Sequence, residues 1–431
     1  MNTATERTVR RVLIISRYHG TRVPGLLKYL PDFGWQPTLL TTVSPEDLPM
    51  PKDIKAIETP CRDALGPWKK LFKARSAADL RSRIKQNLGD TSRKSFLDRL
   101  LTWLSEIINY PDSYKGWKKY GIRAGEELFQ RESYDAIVSS SAPVTAHIIA
   151  GAVKNRHDVP WVADLRDPWS QNHNYSYSDR RKKRDRRLEI QTLATANTLV
   201  TVSAPWAKNL GTLHAGKPVH AITNGFDPEL AGPAEQLTPK FTITYTGNIY
   251  TGMQNPSRLF GALRSLIDAG DMDPRDIEVR FYGPEPAWLP DEIDAYGLTG
   301  VVTCHGRVPA DTAIRKQKES HVLWLMDWDA PEERGVYPLK VFEYLGAERP
   351  VLATGGIGGN VIEQLLYATR AGIHALNEEA TRNALLEMYH AYKATGSVPY
   401  HGDNTEIARY SQREMAREFA EILDGLRGTT S

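Results

Sequence analysis

Short unbroken apolar runs alternate with longer stretches of helical period along this chain, and the alternation predicts strands and helices in turn. Val12 to Ser16, Trp35 to Thr42, Tyr134 to Ser139, Pro160 to Asp164 and Leu199 to Ser203 read as strands of the first half. Phe241 to Thr246, Val279 to Gly283, Val301 to Val308, Val322 to Met326 and Pro350 to Thr354 read as strands of the second. Runs such as V-L-I-I, with no polar alternation, suit strands buried on both faces of a parallel sheet. The helical segments between them are a Leu-rich stretch from about Leu26 to Phe33, after a loop Arg17 to Gly25, then Arg180 to Leu193, Lys340 to Ala347 and Tyr410 to Leu426. Strand–helix alternation means an α/β chain with parallel sheets in both halves.

At 431 residues one core would be too large, so two domains are expected. The first spans 1–228 and carries a helical basic insert at about 64–123; the second spans 229–408; a helix at 409–431 returns to the first. The insert holds 14 basic against 5 acidic residues, an excess of +9 in a chain whose net charge is +3. Its cations, interleaved with Trp68, Phe72 and Trp103, suit either an anionic bilayer surface, at on the order of 1 kcal/mol per cation, or a solvated outer face over a packed one. The run R-R-K-K-R-D-R-R at 180–187 reads as a solvated helix face. Only Cys61 and Cys304 are present, which excludes a disulfide framework and any C-x-x-C metal site and fits a reducing cytoplasm. With no apolar run near 18 residues and a polar N-terminus, neither a secreted nor a membrane-spanning chain is expected.

Most of the chemical specificity lies between Gly335 and Gly359, G-V-Y-P-L-K-V-F-E-Y-L-G-A-E-R-P-V-L-A-T-G-G-I-G-G. Val341, Tyr344 and Leu345 form the core stripe of its helix, while Lys340 and Glu343 lie near the helix N-terminus, where amides and the dipole favour anions. The glycines at 355, 356, 358 and 359 let backbone approach a ligand closely. A second cluster, D-L-R-D-P-W, puts Asp164, Arg166 and Asp167 at the carboxyl end of a strand, where open α/β sheets bind ligands. Three charges there are not expected of a core. No metal-binding D-x-D is read at a strand end, so no metal and no other cofactor is required.

On P-L-K-V-F-E-Y-L, D-L-R-D-P-W, N-G-F-D and Y-T-G-N-I-Y, the chain resembles the retaining glycosyltransferases of family 4, with a GT-B fold, and most closely those of surface-polysaccharide type. The resemblance implies two Rossmann-like domains facing across a cleft, with a nucleotide-diphosphate sugar on the second. It implies a glycan or lipid-linked saccharide acceptor on the first, and no nucleic acid. Glu343 matches the glutamate that holds the donor ribose; the family's other glutamate position is Gly335, with Glu332 and Glu333 just upstream. Gly247, Asn248, Gly283, Arg307, Val308, Tyr337 and Pro338 fall at donor-binding positions, and His19, Gly20, Arg22, Asp164 and His147 at acceptor or cleft positions. Lys340, Arg166 and Asp167 are the implied catalytic residues. Where the family has an arginine and a lysine for the diphosphate, this chain has Asn248 and Gln254, which shifts that work to Lys340, loop amides and Arg258. The same departures allow a second reading, a degenerate protein of this fold that binds a nucleotide sugar or partner without catalysis.

Overall fold

A computed structural model describes residues 9–43, 53–62, 106–175, 177–232, 236–330 and 332–427, and the greater part of the basic insert, 64–105, lies outside them. The chain divides into two compact units, one of residues up to Ile222 together with those from Ala416 on, the other Thr223–Met415.

In the first unit β1 (Arg10–Ile15), β2 (Trp35–Thr42), β3 (Ala56–Thr59), β4 (Ala136–Ser141), β5 (Trp161–Leu165), β6 (Thr198–Thr201) and β7 (Val219–Ala221) form one parallel sheet. Its order is β3-β2-β1-β4-β5-β6-β7. The apolar runs are buried as their pattern demands, with Val12 to Ile15 and Ile137 to Val138 wholly inaccessible. Helices Lys118–Arg131 and Thr145–His157 cover one face, and they meet through glycine: a β-carbon on Gly121 would lie 2.5 Å from Ile149 and one on Gly125 2.7 Å from Val153. Strand order reverses direction between β1 and β4.

Two expectations fail here for local reasons. The first helix starts at Arg22, not near Leu26, and runs to Tyr29, because Pro24 sits in the first turn, where its missing N–H costs nothing. The run 180–187 is not solvated throughout. On the helix Asp179–Leu193, Arg181, Asp185 and Glu189 form a buried stripe at i, i+4, i+8. Arg181 holds Asp185 at 2.9 Å and lies over the rings of Tyr110 and Tyr177.

The second unit has β8 (Phe241–Thr246), β9 (Ile277–Tyr282), β10 (Val302–Cys304), β11 (Val322–Met326), β12 (Val351–Thr354) and β13 (Gly372–Ala375), all parallel, in the order β10-β9-β8-β11-β12-β13. Its core is aromatic on one side, with Phe241, Tyr245, Phe260, Phe281 and Trp324, and is closed on the other by Val341, Tyr344 and Leu345. That stripe belongs to the helix Lys340–Ala347, at the bounds its pattern predicts. The reversal of strand order falls between β8 and β11. The helix Gln412–Arg427 follows, counted with the first unit from Ala416 on; there Asp424 accepts from Trp35 Nε1 at 2.8 Å and pairs with Arg10. Among the described residues no helix is long and apolar enough to cross a membrane.

Candidate functional site

Loops leaving the carboxyl ends of β8, β9 and β10 stack on one another at the reversal point of the second sheet. Gly247 donates to Tyr282 O at 2.7 Å and Gly283 to Gly306 O at 2.9 Å. A β-carbon on Gly283 would lie 2.2 Å from Gly247 O, and Gly247 itself has φ of 94°, so both positions require glycine.

Lys340 reaches this stack from the first position of its helix. Its Nζ lies 3.7 Å from the centroid of the Tyr245 ring, donates to the Tyr245 hydroxyl and stands 3.3 Å from Asn248 O. Burial pulls its pKa down to about 7, with Glu343 opposing the shift, so near neutral pH the amine is poised between charged and neutral forms. Glu343, half-buried one turn on, accepts from Gln317 Nε2 at 2.9 Å, and burial raises its pKa against Gln317 and Lys340. Gln317 also donates to Thr246 Oγ1 at 3.0 Å, tying Glu343 to the end of β8. Tyr245 and Gln317 are site-forming residues that sequence reasoning missed, since nothing local distinguishes them.

Of the other donor-side residues, Asn248 and Gly283 lie in the same stack, whereas Arg307 is exposed and Val308 half-buried on the loop after β10. Tyr337 packs 5.5 Å from Phe342, and Pro338 O accepts from Val341 N, setting the helix entry. Glu333 turns its carboxylate to the N–H of Gly335, at 2.8 Å. Gln254 is buried; it donates to Met326 O at 2.9 Å and accepts from Tyr250 N at 3.1 Å.

A D-x-D does follow a strand, since Asp327-Trp328-Asp329 comes directly after β11. Both carboxylates hold protein partners. Asp327 accepts from Asn360 Nδ2 at 2.6 Å and from the Trp328 N–H, and lies 3.2 Å from His374 Nε2. Asp329 accepts from Gly356 N at 2.8 Å and pairs with Arg258 at 2.6 Å. Burial lowers the His374 pKa, but Asp327 and the Gly355 carbonyl outweigh it, and the net shift is upward. This acidic cradle explains the glycine loop. A β-carbon would meet Asp327 Oδ2 at 2.2 Å on Gly356, and Arg258 Nη1 at 2.6 Å on Gly355. Among the described residues no group of three His, Cys, Asp or Glu side chains could hold a metal ion.

The acceptor-side residues gather at the reversal point of the first sheet, but in unlike roles. Asp164 is wholly buried. It accepts from Arg22 Nε at 2.9 Å and Nη2 at 2.8 Å and from Ser140 Oγ at 2.6 Å, so its charge does belong to a core, as half of an ion pair. Arg22 Nη1 also donates to Ile222 O at 3.0 Å. His147, also buried, shares a 2.7 Å bond between Nδ1 and Ser139 Oγ, and burial drops its pKa to about 4; among the described residues Nε2 has no hydrogen-bond partner. His19 and Gly20 follow β1, and burial, then Arg166, lower the His19 pKa to about 4. Arg166 donates to the carbonyls of Ser141 and Ala142, while Asp167 is exposed.

Residues 97–230 match the sequence family described as Glycosyltransferase Family 4. No curated protein matches the chain significantly. Among solved structures, the chain is similar to the Anabaena protein HepE in complex with UDP and glucose, at 14% identity and a TM-score of 0.61, covering 96% of this chain and 100% of that one. Sucrose-phosphate synthase from Thermosynechococcus elongatus is similar at 13% identity and 0.61, over 97% and 100%. The lipopolysaccharide outer core galactosyltransferase WaaB is similar at 10% identity and 0.54, over 98% and 100%. Two parallel-sheet, Rossmann-like domains matched over nearly their whole length by such proteins give this chain the GT-B fold.

Proposed function

We propose that the protein is a glycosyltransferase that moves a sugar, with retention, from a nucleotide-diphosphate sugar to a glycan or lipid-linked saccharide. The observation that carries this reading is the placement of Lys340 and Glu343 together at the reversal point of the second sheet, beside a stack of glycine loops. The family match and the UDP in complex with the HepE neighbour agree with it. Glu343, fixed by Gln317, would accept the ribose hydroxyls. Gly247 and Gly283 admit the diphosphate to the backbone.

As the bond from the sugar to the diphosphate breaks, negative charge grows on the leaving oxygens, and a cation aimed there stabilises the transition state more than the bound donor. Lys340 fills that role. A lysine held near neutrality by burial gains a proton when the diphosphate arrives, so the charge appears where it is needed. Asp327, Asp329 and Glu343 each hold protein partners, which favours a front-face course without a covalent carboxylate intermediate. In that course the acceptor oxygen bonds to the anomeric carbon on the face the diphosphate leaves, and its proton passes to the leaving group. The reading needs no metal ion.

Cell-surface polysaccharide or glycoconjugate synthesis in the cytoplasm, with a hexose as the sugar moved and the basic insert on the anionic inner face of the membrane, completes the proposal. Titration with UDP-, GDP- and dTDP-sugars, read by calorimetry and by release of nucleotide with and without saccharide acceptors, tests it. Binding of none of them refutes it; binding without turnover on any acceptor favours the degenerate reading, which the buried, uncharged Gln254 at a diphosphate position supports. Pelleting with anionic against neutral vesicles checks the membrane contact.

A further inference from the structure

Arg166 of the first unit differs from three other arginines withdrawn wholly or partly from the surface. Arg22 and Arg181 in the same unit and Arg258 in the second each hold a carboxylate, at 2.8, 2.9 and 2.6 Å. Arg166 donates only to carbonyls, from Nε to Ser141 and from Nη2 to Ala142 at 2.9 Å, and among the described residues no carboxylate lies within ion-pair distance of it. Asp164, which acts on it through space, is already saturated by Arg22 and Ser140, and Asp167 is exposed. A half-buried guanidinium that meets only carbonyl oxygens keeps donors to spare, and an anion completes its surroundings. Burial accordingly pulls Arg166 down to about 10.

The remaining nitrogen, Nη1, points to the loop after β1: a β-carbon on Gly20 would lie 3.8 Å from it, and Gly20, at φ of 67°, offers bare backbone there. His19 brings a neutral imidazole to the same corner, and Arg17, half-buried two residues before it, lies 5.3 Å over the ring of Tyr114. The corner thus carries two guanidinium groups, a small backbone face and one exposed acid, at the strand reversal where an α/β sheet receives ligands.

We propose that this corner binds an oxyanion borne by the acceptor, a phosphoryl or carboxylate group on a saccharide, through Arg166 Nη1 and Arg17. Charge-assisted bonds from a guanidinium fork suit either group. The proposal rests on the reading of this unit as the acceptor side, and it narrows that acceptor to an acidic saccharide.

Calorimetry on the full chain with glucose, glucose 6-phosphate and glucuronate, in saturating UDP to keep phosphate from Lys340, tests it. At least one acidic sugar binds about tenfold more tightly than glucose, and that preference shrinks as salt rises. Preference for glucose 6-phosphate identifies a phosphoryl group, and preference for glucuronate a carboxylate. Arg166→Gln removes the preference; because Arg166 also holds the backbone at 141–142, Arg17→Gln provides a second variant that weakens it, each variant being titrated well below its own melting temperature. Equal binding of the three sugars, or a preference that neither variant alters, overturns the proposal. Titration with UDP alone judges the donor reading separately, so either can fail without the other.

Discussion

At the reversal point of the first sheet, charge is neutralised within the protein: Arg22 and Asp164 close on one another with no exposure to solvent, 142 residues apart in the chain. At the corresponding point of the second sheet Lys340 rests on an uncharged tyrosine and a carbonyl, and its nearest acid, Glu343, is held by a glutamine. The two points share a topology and differ in where their electrostatic debts are settled. An internal pair serves the fold; on the proposed reading, a lysine with no ion-pair partner among the described residues serves the arriving diphosphate.

That contrast predicts a separation of effects. The largest is expected from Arg22→Leu, which strands Asp164 in the core and costs about 3–5 kcal/mol of stability, read as a drop in melting temperature and denaturant midpoint. A loss below about 1 kcal/mol would show that Asp164 does not depend on Arg22 for its place in the core. Lys340→Met should do the reverse, leaving the melting temperature close to that of the native protein and donor affinity within a few-fold while turnover falls about 100- to 1000-fold. Near-native turnover in that variant would remove Lys340 from the chemistry and erase the contrast.

pH sharpens the same point. On the proposed reading Lys340 works as a cation, and burial pulls its pKa down to about 7, so kcat/KM falls as pH rises through that value, up to tenfold per unit. Replacing Lys340 abolishes that limb. Glu343→Ala comes next, weakening UDP binding about tenfold in calorimetry by removing one charge-assisted acceptor. The smallest effect concerns His374. Its folded pKa is raised above the ordinary 6.5, so the stability it lends is fully present below that value and is lost as pH rises through the raised one. Asp327→Asn removes that contribution, and the gap in melting temperature between it and the native protein narrows from pH 6 to pH 9.

What the sequence reveals divides along the same line between local and distant. The Lys340–Ala347 helix is legible to the residue because its stripe, its entry proline and its following strand are all contiguous. The strand ends that carry Asp164 and Arg166 are legible for the same reason. The partners are not. Arg22 reads as a loop residue because Pro24 looks like a breaker, and no periodicity links it to Asp164. Gln317 approaches Glu343 only because the helix Ala310–Lys318 packs beside Lys340–Ala347, a contact made by tertiary structure alone. Asp327-Trp328-Asp329 was visible but hidden in an apolar passage, L-W-L-M-D-W-D-A-P, whose strand end is not marked by glycine. Its role follows from Arg258, Asn360 and His374, which come from three other stretches of chain.

The division of the chain has a consequence for its synthesis. The first unit is discontinuous: its sheet is complete by Ala221, yet Asp424, the acceptor for Trp35 and partner of Arg10, is translated only after the whole second unit. On the ribosome the second unit, continuous from Thr223 to Met415, can therefore close first, while the earlier one waits with the flank of β1 and β2 uncovered. Order of emergence and order of completion are opposite in this protein: the sheet that leaves the ribosome first is the last to receive all of its partners.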